Sequence, residues 1–82
     1  MTRREFEAGK AHAVIAEVAE AEGFDLELFR CRSKRSDLVE ARWKAAAAAF
    51  ARTEASVSEI ARIMYKHPST VLYGLRRLGV AA

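Results

Sequence analysis

The stretch that decides the fold is SVSEIARIMYKHPSTVLYGLRRLG, residues 56–79. Ser56 and Glu59 have the spacing of a capping box, in which the serine hydroxyl bonds the Glu59 amide and the carboxylate reaches back to residue 56. Pro68 is favoured in the first turn of a helix and cannot continue a helix from behind. The stretch therefore predicts a short helix from Ser56, a turn of about three residues and a last helix from Pro68 to Leu78, which together form a helix-turn-helix.

The apolar residues of this stretch fit two helices that cross closely. The first helix carries Val57, Ile60, Ala61 and Met64 on one side. The small Ala61 lies ten residues before Val71, the arrangement that this motif needs where its helices cross. Tyr65 stands at a position where a turn glycine is common.

The last helix has an apolar face and a polar face, and the polar face contains no acidic residue. At about 100° per residue, the apolar face holds Val71, Leu72, Leu75 and Leu78, and the opposite face holds Ser69, Thr70, Tyr73, Arg76 and Arg77. In a helix-turn-helix the second helix lies in the major groove with its N-terminal residues at base edges. Ser69, Thr70 and Tyr73 are therefore candidates for reading the DNA sequence. Arg76 and Arg77, one turn further along, are candidates for holding phosphates.

Two residues of the turn extend this candidate interface. The amides at the start of the last helix, with Lys66 beside them, offer a site for another backbone phosphate. His67 can change charge near neutral pH beside a phosphate, although a histidine at such a position is more often a helix cap or a surface residue.

Two helices are predicted in the first part of the chain. The first runs from Arg3 to Glu22, has an acidic outer face and is ended by Gly23. Its predicted inward residues are Phe6, Val14, Ile15 and Val18. Asp25 is placed to cap a short second helix over residues 26–30.

A basic loop leads from the second helix to a third. The loop, RCRSKR at residues 30–35, has four bases in six residues. The third helix opens at Ser36 or Asp37 and ends near Arg52. Its predicted buried stripe is Val39, Trp43, Ala46, Ala47 and Phe50. The alanines at 45–49 favour a helix but leave the register of its buried face open.

Composition favours a single all-α domain over residues 1–82, a compact bundle of about five helices. Alanine and unbranched helix formers dominate, whereas Val, Ile and Thr together number only 12 of the 82 residues. The single Cys31 excludes an internal disulfide. With only two histidines the sequence offers no metal-ligand spacing, so we expect no structural zinc and no cofactor.

The charge of the chain is divided unevenly. Residues 1–28 carry three bases against seven acids, net −4, and the other 54 residues carry eleven bases against four acids, net +7. This separation suggests a basic face aimed at a polyanion. Nucleic acid is favoured over a membrane because no strongly basic amphipathic helix with a large aromatic face is present. Without an apolar span or a signal-peptide pattern, we expect a cytoplasmic, nucleoid-associated protein.

The chain resembles a known family, the C-terminal DNA-binding domain of the bacterial replication initiator DnaA. The resemblance is carried by VAEAEGFDLELF (18–29), SKRSDLVEAR (33–42), SVSEIARIM (56–64) and STVLYGLRRL (69–78). Ser56, Glu59, Ile60, Thr70 and Val71 match the family's Ser-x-x-Glu-Ile helix and its final Thr-Thr-Val helix. The resemblance implies a Trp-repressor-like helical fold and double-stranded DNA binding.

The resemblance also implies roles for the basic loop. Lys34 and Arg35, with Arg32 nearby, would enter the minor groove, and Arg42 would meet the DNA backbone. The turn is one residue shorter than in the family, and His67 and Pro68 replace the Asp-His pair that reads bases. The pair of residues with which the family reads the DnaA box is therefore not matched in this chain, and the sequence does not decide whether that box is recognised.

The function expected from the sequence is sequence-specific or semi-specific binding of double-stranded DNA by a small bacterial or phage regulator of transcription or replication. The chain carries no GxxxxGK[ST] phosphate loop, so we expect a free-standing relative of the family and not an initiator. No nucleophile, base and orienting group converge, so no enzyme activity is expected. The alternative is a protein-interaction module with little DNA affinity, which docks its acidic first helix or its last helix on a larger replication or transcription partner. We expect a monomer or a weak dimer.

Overall fold

The computed structural model describes residues 2–80, which form five α-helices and no strand. The helices are α1 (Arg3–Ala21), α2 (Leu26–Arg30), α3 (Ser36–Arg52), α4 (Val57–Ile63) and α5 (Pro68–Arg77). The prediction of an all-α chain of about five helices is confirmed. No helix in this part of the chain is both long enough and apolar enough to cross a membrane.

Local signals in the sequence account for the starts of α2, α4 and α5. The capping box of α4 is present, with the Ser56 hydroxyl accepting from the Glu59 amide at 3.1 Å and Glu59 accepting from the Ser56 amide at 3.1 Å. The Asp25 carboxylate caps α2 by accepting from the Leu28 amide at 2.8 Å. The third helix begins at Ser36 as predicted, but no side chain caps it.

Three helices end in the same way. The residue after each C-cap is left-handed, at Gly23 (φ 83°), Tyr65 (φ 55°) and Gly79 (φ 76°). The amide of the next residue donates to the carbonyl five positions back at 2.8 Å. This Schellman geometry favours glycine, which has no Cβ to clash. Tyr65 is the one non-glycine residue with positive φ among residues 2–80. The turn between α4 and α5 therefore has the shape that a glycine would give it.

The core is built on alanine, because α1 packs along α3 more extensively than any other two helices pack together. The fully buried alanines of the two helices are Ala11, Ala19, Ala41, Ala45, Ala46 and Ala49. Small side chains let the two helix backbones approach closely. The large residues Ile15, Phe29, Ile60, Met64 and Leu75 fill the remaining interior.

The predicted buried faces of α1 and α3 are only partly correct. On α1 Val14 and Ile15 are buried and Val18 packs against the core, but Phe6 does not. Phe6 is 54% exposed and lies under Lys10, whose Nζ is 5.4 Å from the ring centroid. Of the stripe predicted on α3 only Ala46 is fully buried, because the buried side of this helix also runs through Leu38, Ala41, Arg42, Ala45 and Ala49. An alanine run carries no bulky residue to mark the inner side, and Trp43 and Phe50 lie at the edge of the core instead.

The last helix rests on α4 and α3. Val71 and Leu75 of its predicted apolar face are buried, Leu72 is partly buried, and Leu78 is exposed because it lies at the C-cap, beyond the last helical turn. Gly74 is also buried. The opposite side of α5 is therefore left to solvent.

Candidate nucleic-acid interface

The outer face of α5 is exposed along its whole length. All five residues predicted to face outward are exposed: Ser69, Thr70, Tyr73, Arg76 and Arg77. At about 100° per residue they span an arc of about 120°. From Ile60 to Val80 the chain contains no aspartate or glutamate. This face therefore presents two arginines without an acidic neighbour on its own helix.

His67 is exposed and serves α5 as its N-cap. Its Nδ1 accepts from the Ser69 amide at 3.1 Å and lies 2.8 Å from the Ser69 Oγ. Pro68 follows as the first helical residue. These contacts hold Ser69 against the start of the helix, so the histidine and the serine form one small polar cluster at the N-terminal end of the face.

The cations of the basic loop are not equivalent. Arg32 and Lys34 are exposed, and no carboxylate lies within 4.0 Å of either among residues 2–80. Arg35 makes two bonds to Asp37, from Nε at 3.1 Å and from Nη2 at 2.7 Å. This hydrogen bonding holds the pKa of the Asp37 carboxyl below its usual range and raises the pKa of Arg35. The charge of Arg35 is thus locally neutralised, and Arg32 and Lys34 carry the free charge of the loop.

Arg42 requires a correction, because it is not placed to meet a DNA backbone. Its side chain is buried, with 8% of the residue exposed. The guanidinium donates to four carbonyl oxygens of the segment before α3: Leu28 (3.3 Å), Phe29 (2.9 Å), Cys31 (2.8 Å) and Ser33 (2.7 Å). Arginine is rarely fully buried, so nothing in the residue type suggested this role. Arg42 shapes the basic loop from beneath.

Lys66 joins the turn to the same loop. Its Nζ donates to the Cys31 carbonyl at 2.6 Å, so that oxygen accepts from both Lys66 and Arg42. Burial lowers the pKa of the Lys66 ammonium, and the charges of Arg42 and Arg32 lower it further. Lys66 is partly exposed. It therefore both holds the loop through its bond to the Cys31 carbonyl and presents a positive charge to solvent.

A groove brings part of the predicted interface together. It has a volume of about 380 Å³ and runs between the basic loop, α3 and α5. The predicted site residues that line it are Arg32, Lys34, Arg42, Lys66, Thr70 and Tyr73. The remaining predicted residues, Arg35, His67, Ser69, Arg76 and Arg77, lie outside it. No acidic residue lines the groove.

A close contact between α3 and α5 sets the position of the outer face. A Cβ built on Gly74 would overlap the indole ring of Trp43, so only glycine fits. The neighbouring Tyr73 ring stands edge-on to that indole, with centroids 5.8 Å apart and planes at 67°. Sequence reasoning missed Gly74. The available signal was a glycine inside a predicted helix, where glycine is disfavoured unless another group approaches closely.

Ion pairing divides the cations of the molecule into two groups. Among residues 2–80, those with a carboxylate within 4.0 Å are Arg3, Lys10, Arg30, Arg35, Lys44 and Arg52. The exposed or partly exposed cations without one are Arg4, Arg32, Lys34, Arg62, Lys66, Arg76 and Arg77. Five of these seven belong to the basic loop, the α4–α5 turn and α5.

The described residues contain no group of three His, Cys, Asp or Glu side chains that could hold a metal ion.

Comparisons with protein-family models, with curated proteins and with solved structures find no match to this chain.

Proposed function

We propose that this protein binds double-stranded DNA through the outer face of α5 and the basic loop. The observation that carries the proposal is the group of five cations without ion pairs: Arg32, Lys34, Lys66, Arg76 and Arg77. An unpaired cation on a surface without acids is available to replace the counterions of a phosphate backbone. The paired cations elsewhere on the molecule lack this property.

In the proposed complex α4, the turn and α5 act as a helix-turn-helix, and α5 enters the major groove. Ser69, Thr70 and Tyr73 are exposed at the N-terminal half of α5 and would meet base edges. Arg76 and Arg77 would hold phosphates. The resemblance to the DnaA C-terminal domain supports this docking.

The same resemblance supports insertion of the basic loop into the minor groove, with Arg32 and Lys34 as the inserted side chains. Arg35 takes a smaller part because Asp37 holds it, and Arg42 acts only through the shape of the loop. A small bacterial regulator of transcription or replication, associated with the nucleoid, is the biological role that we propose for such a complex.

The salt dependence of duplex binding tests the proposal. We expect Arg76→Ala and Arg77→Ala each to reduce the slope of log affinity against log salt by about 0.9, the value for one phosphate contact. Fluorescence anisotropy of a labelled mixed-sequence duplex at several salt concentrations gives this slope. Arg52→Ala is the matched control, because Arg52 is an exposed arginine that pairs with Glu17 at 3.7 Å.

Thr70→Ala and Tyr73→Ala are expected to leave the salt slope unchanged and to reduce sequence preference by about 1 to 3 kcal/mol in a site-selection experiment. If all four interface variants bind as the unaltered protein does, the proposed surface is wrong. Equal losses in Arg52→Ala and Arg76→Ala would show nonspecific dependence on net charge instead.

A further inference from the structure

The groove between the basic loop and α5 has features that phosphate binding alone does not use. Its floor is closed by apolar side chains that are almost fully buried, among them Ala46, Met64 and Val71. Val39 and the indole of Trp43 are partly exposed and supply accessible apolar surface above this floor along α3. We propose that the groove holds one unpaired nucleotide of a DNA strand, with the base on the apolar floor and the adjoining phosphate on the rim cations. This inference rests on the proposed function, because it uses the same loop.

The chemistry of the groove fits a ligand that is planar and apolar at one end and anionic at the other. Sites for single-stranded nucleic acid combine aromatic or apolar surfaces for bases with positive charge along the backbone. Here Trp43 and Tyr73 supply the rings, and Arg32, Lys34 and Lys66 supply the charge. A volume of about 380 Å³ lies in the range of small-ligand sites.

The charges around the groove favour an anion. Arg32, Arg42 and Lys66 are close enough that the two arginines lower the pKa of the lysine, and no carboxylate lines the groove to offset them. The Lys66 ammonium and the Arg42 guanidinium both donate to the Cys31 carbonyl, which is a neutral acceptor. A phosphate at the rim would offset this crowding of like charges.

A fully paired duplex cannot use the apolar floor. Its bases are stacked inside the helix and present only their edges, so an apolar pocket to the side of α5 can receive a base only after that base has left the stack. The proposal therefore predicts a preference for DNA that already contains unpaired bases, because the energy of unstacking is then not required.

Three duplexes of otherwise identical sequence test the preference: one fully paired, one with a bulge of three thymidines, and one with a bulge of three abasic sites. The abasic bulge is the matched control, since it has the flexibility of the thymidine bulge but no base. We expect about fivefold to tenfold tighter binding of the thymidine bulge than of the other two. Anisotropy at one fixed salt concentration measures all three.

The outcomes separate this inference from the proposed function. Tighter binding of the thymidine bulge than of the other two supports the inference. Equal binding of all three duplexes overturns the inference and leaves the proposed function standing. Binding of none overturns both.

Two measurements place the base in the groove. Val39→Phe fills the groove and is expected to reduce the affinity for the thymidine bulge to that for the abasic bulge. Ala13→Phe is the matched control, because it adds the same ring at an exposed position of α1 outside the groove. A preference that survives in Val39→Phe overturns the inference. If that variant does not fold, the single indole N–H signal of Trp43 in the unaltered protein decides. It should shift with the thymidine bulge and not with the abasic one, and equal shifts would overturn the inference.

Discussion

The α1 side and the α5 side of this molecule use charged residues in opposite ways. On the α1 side most cations are interleaved and paired with carboxylates, as in Lys44–Glu22 at 2.8 Å and Arg52–Glu17 at 3.7 Å, although Arg4 has no such pair among residues 2–80. On the α5 side Arg76 and Arg77 have no carboxylate within 4.0 Å among residues 2–80. The formal net charge of +3 conceals this difference. The positive charge available to a polyanion is therefore found where the cations have no neighbouring carboxylate.

The largest expected effect comes from replacing Arg42, the buried arginine that belongs neither to the α1 surface nor to the α5 surface. Arg42→Met would remove one donor from each of four carbonyl oxygens before α3. The Cys31 oxygen keeps the Lys66 ammonium and the Leu28 oxygen keeps the Cys31 amide, whereas those of Phe29 and Ser33 lose the donor described here. We expect a loss of about 3 kcal/mol in the free energy of unfolding. Urea denaturation measures it. Arg42→Lys keeps the charge but not the planar fork, so its loss should be smaller. A loss below about 1 kcal/mol in Arg42→Met would contradict a structural role for the guanidinium.

Gly74→Ala tests the contact that fixes the α5 side on the core. The added methyl would overlap the Trp43 ring, and we expect a destabilisation of about 1 to 3 kcal/mol from overpacking. Gly9→Ala on α1 is the control with the opposite sign. No atom lies within 4 Å of a Cβ built at Gly9, so alanine there should stabilise the helix by about 0.5 to 1 kcal/mol. Thermal unfolding of both variants gives the comparison, which fails if the two changes have the same sign.

Tyr65 offers a smaller test within the α4–α5 turn. Its left-handed backbone is unfavourable for a residue with a Cβ, but the Arg30 guanidinium lies 4.3 Å from its ring centroid. Tyr65→Ala keeps the strain and loses the ring, whereas Tyr65→Gly loses both. We expect Tyr65→Gly to be more stable than Tyr65→Ala by about 1 kcal/mol in urea denaturation. An alanine variant as stable as the glycine variant would mean that the turn relaxes its left-handed residue.

The smallest test moves one cation from the paired group to the unpaired one. Asp37→Asn removes the carboxylate that holds Arg35, and duplex binding should then show a salt slope steeper by up to about 0.9.

The pH dependence of stability at Asp37 has a definite sign. Because the pKa of Asp37 is lowered in the folded protein, its contribution to stability is present above its unfolded pKa and is lost as the pH falls through the folded pKa. Asp37→Asn should remove this part of the acid sensitivity in equilibrium unfolding between neutral and acidic pH. An unchanged salt slope of duplex binding in Asp37→Asn would place Arg35 outside the interface.

The sequence predicted those features of the fold that depend on neighbouring residues. The Ser56–Glu59 capping box, the Asp25 cap and the start of α5 at Pro68 follow from side chains within three positions of the backbone that they serve. The ends at Gly23 and Gly79 follow from the conformational freedom of glycine. Such signals are local, and they locate each helix without locating its neighbours.

The features that the sequence did not predict depend on contacts between distant elements. The buried face of α3 is set by the alanines that meet α1, and the place of Arg42 by carbonyls 9 to 14 residues away. The Trp43–Gly74 contact joins residues 31 positions apart. For the candidate interface, helical periodicity predicted the exposure of the five outer residues of α5. It did not predict the groove, because no periodic pattern relates a loop to a helix that begins 33 positions after the loop ends.

The Cys31 carbonyl accepts hydrogen bonds from Arg42, 11 residues later, and from Lys66, 35 residues later. These two bonds determine the stage at which the basic loop becomes ordered. The segment around it has no secondary structure of its own, yet its shape depends on bonds that only the complete fold supplies. The entropy lost in ordering that segment is then lost during folding, so encounter with a partner needs no further ordering there.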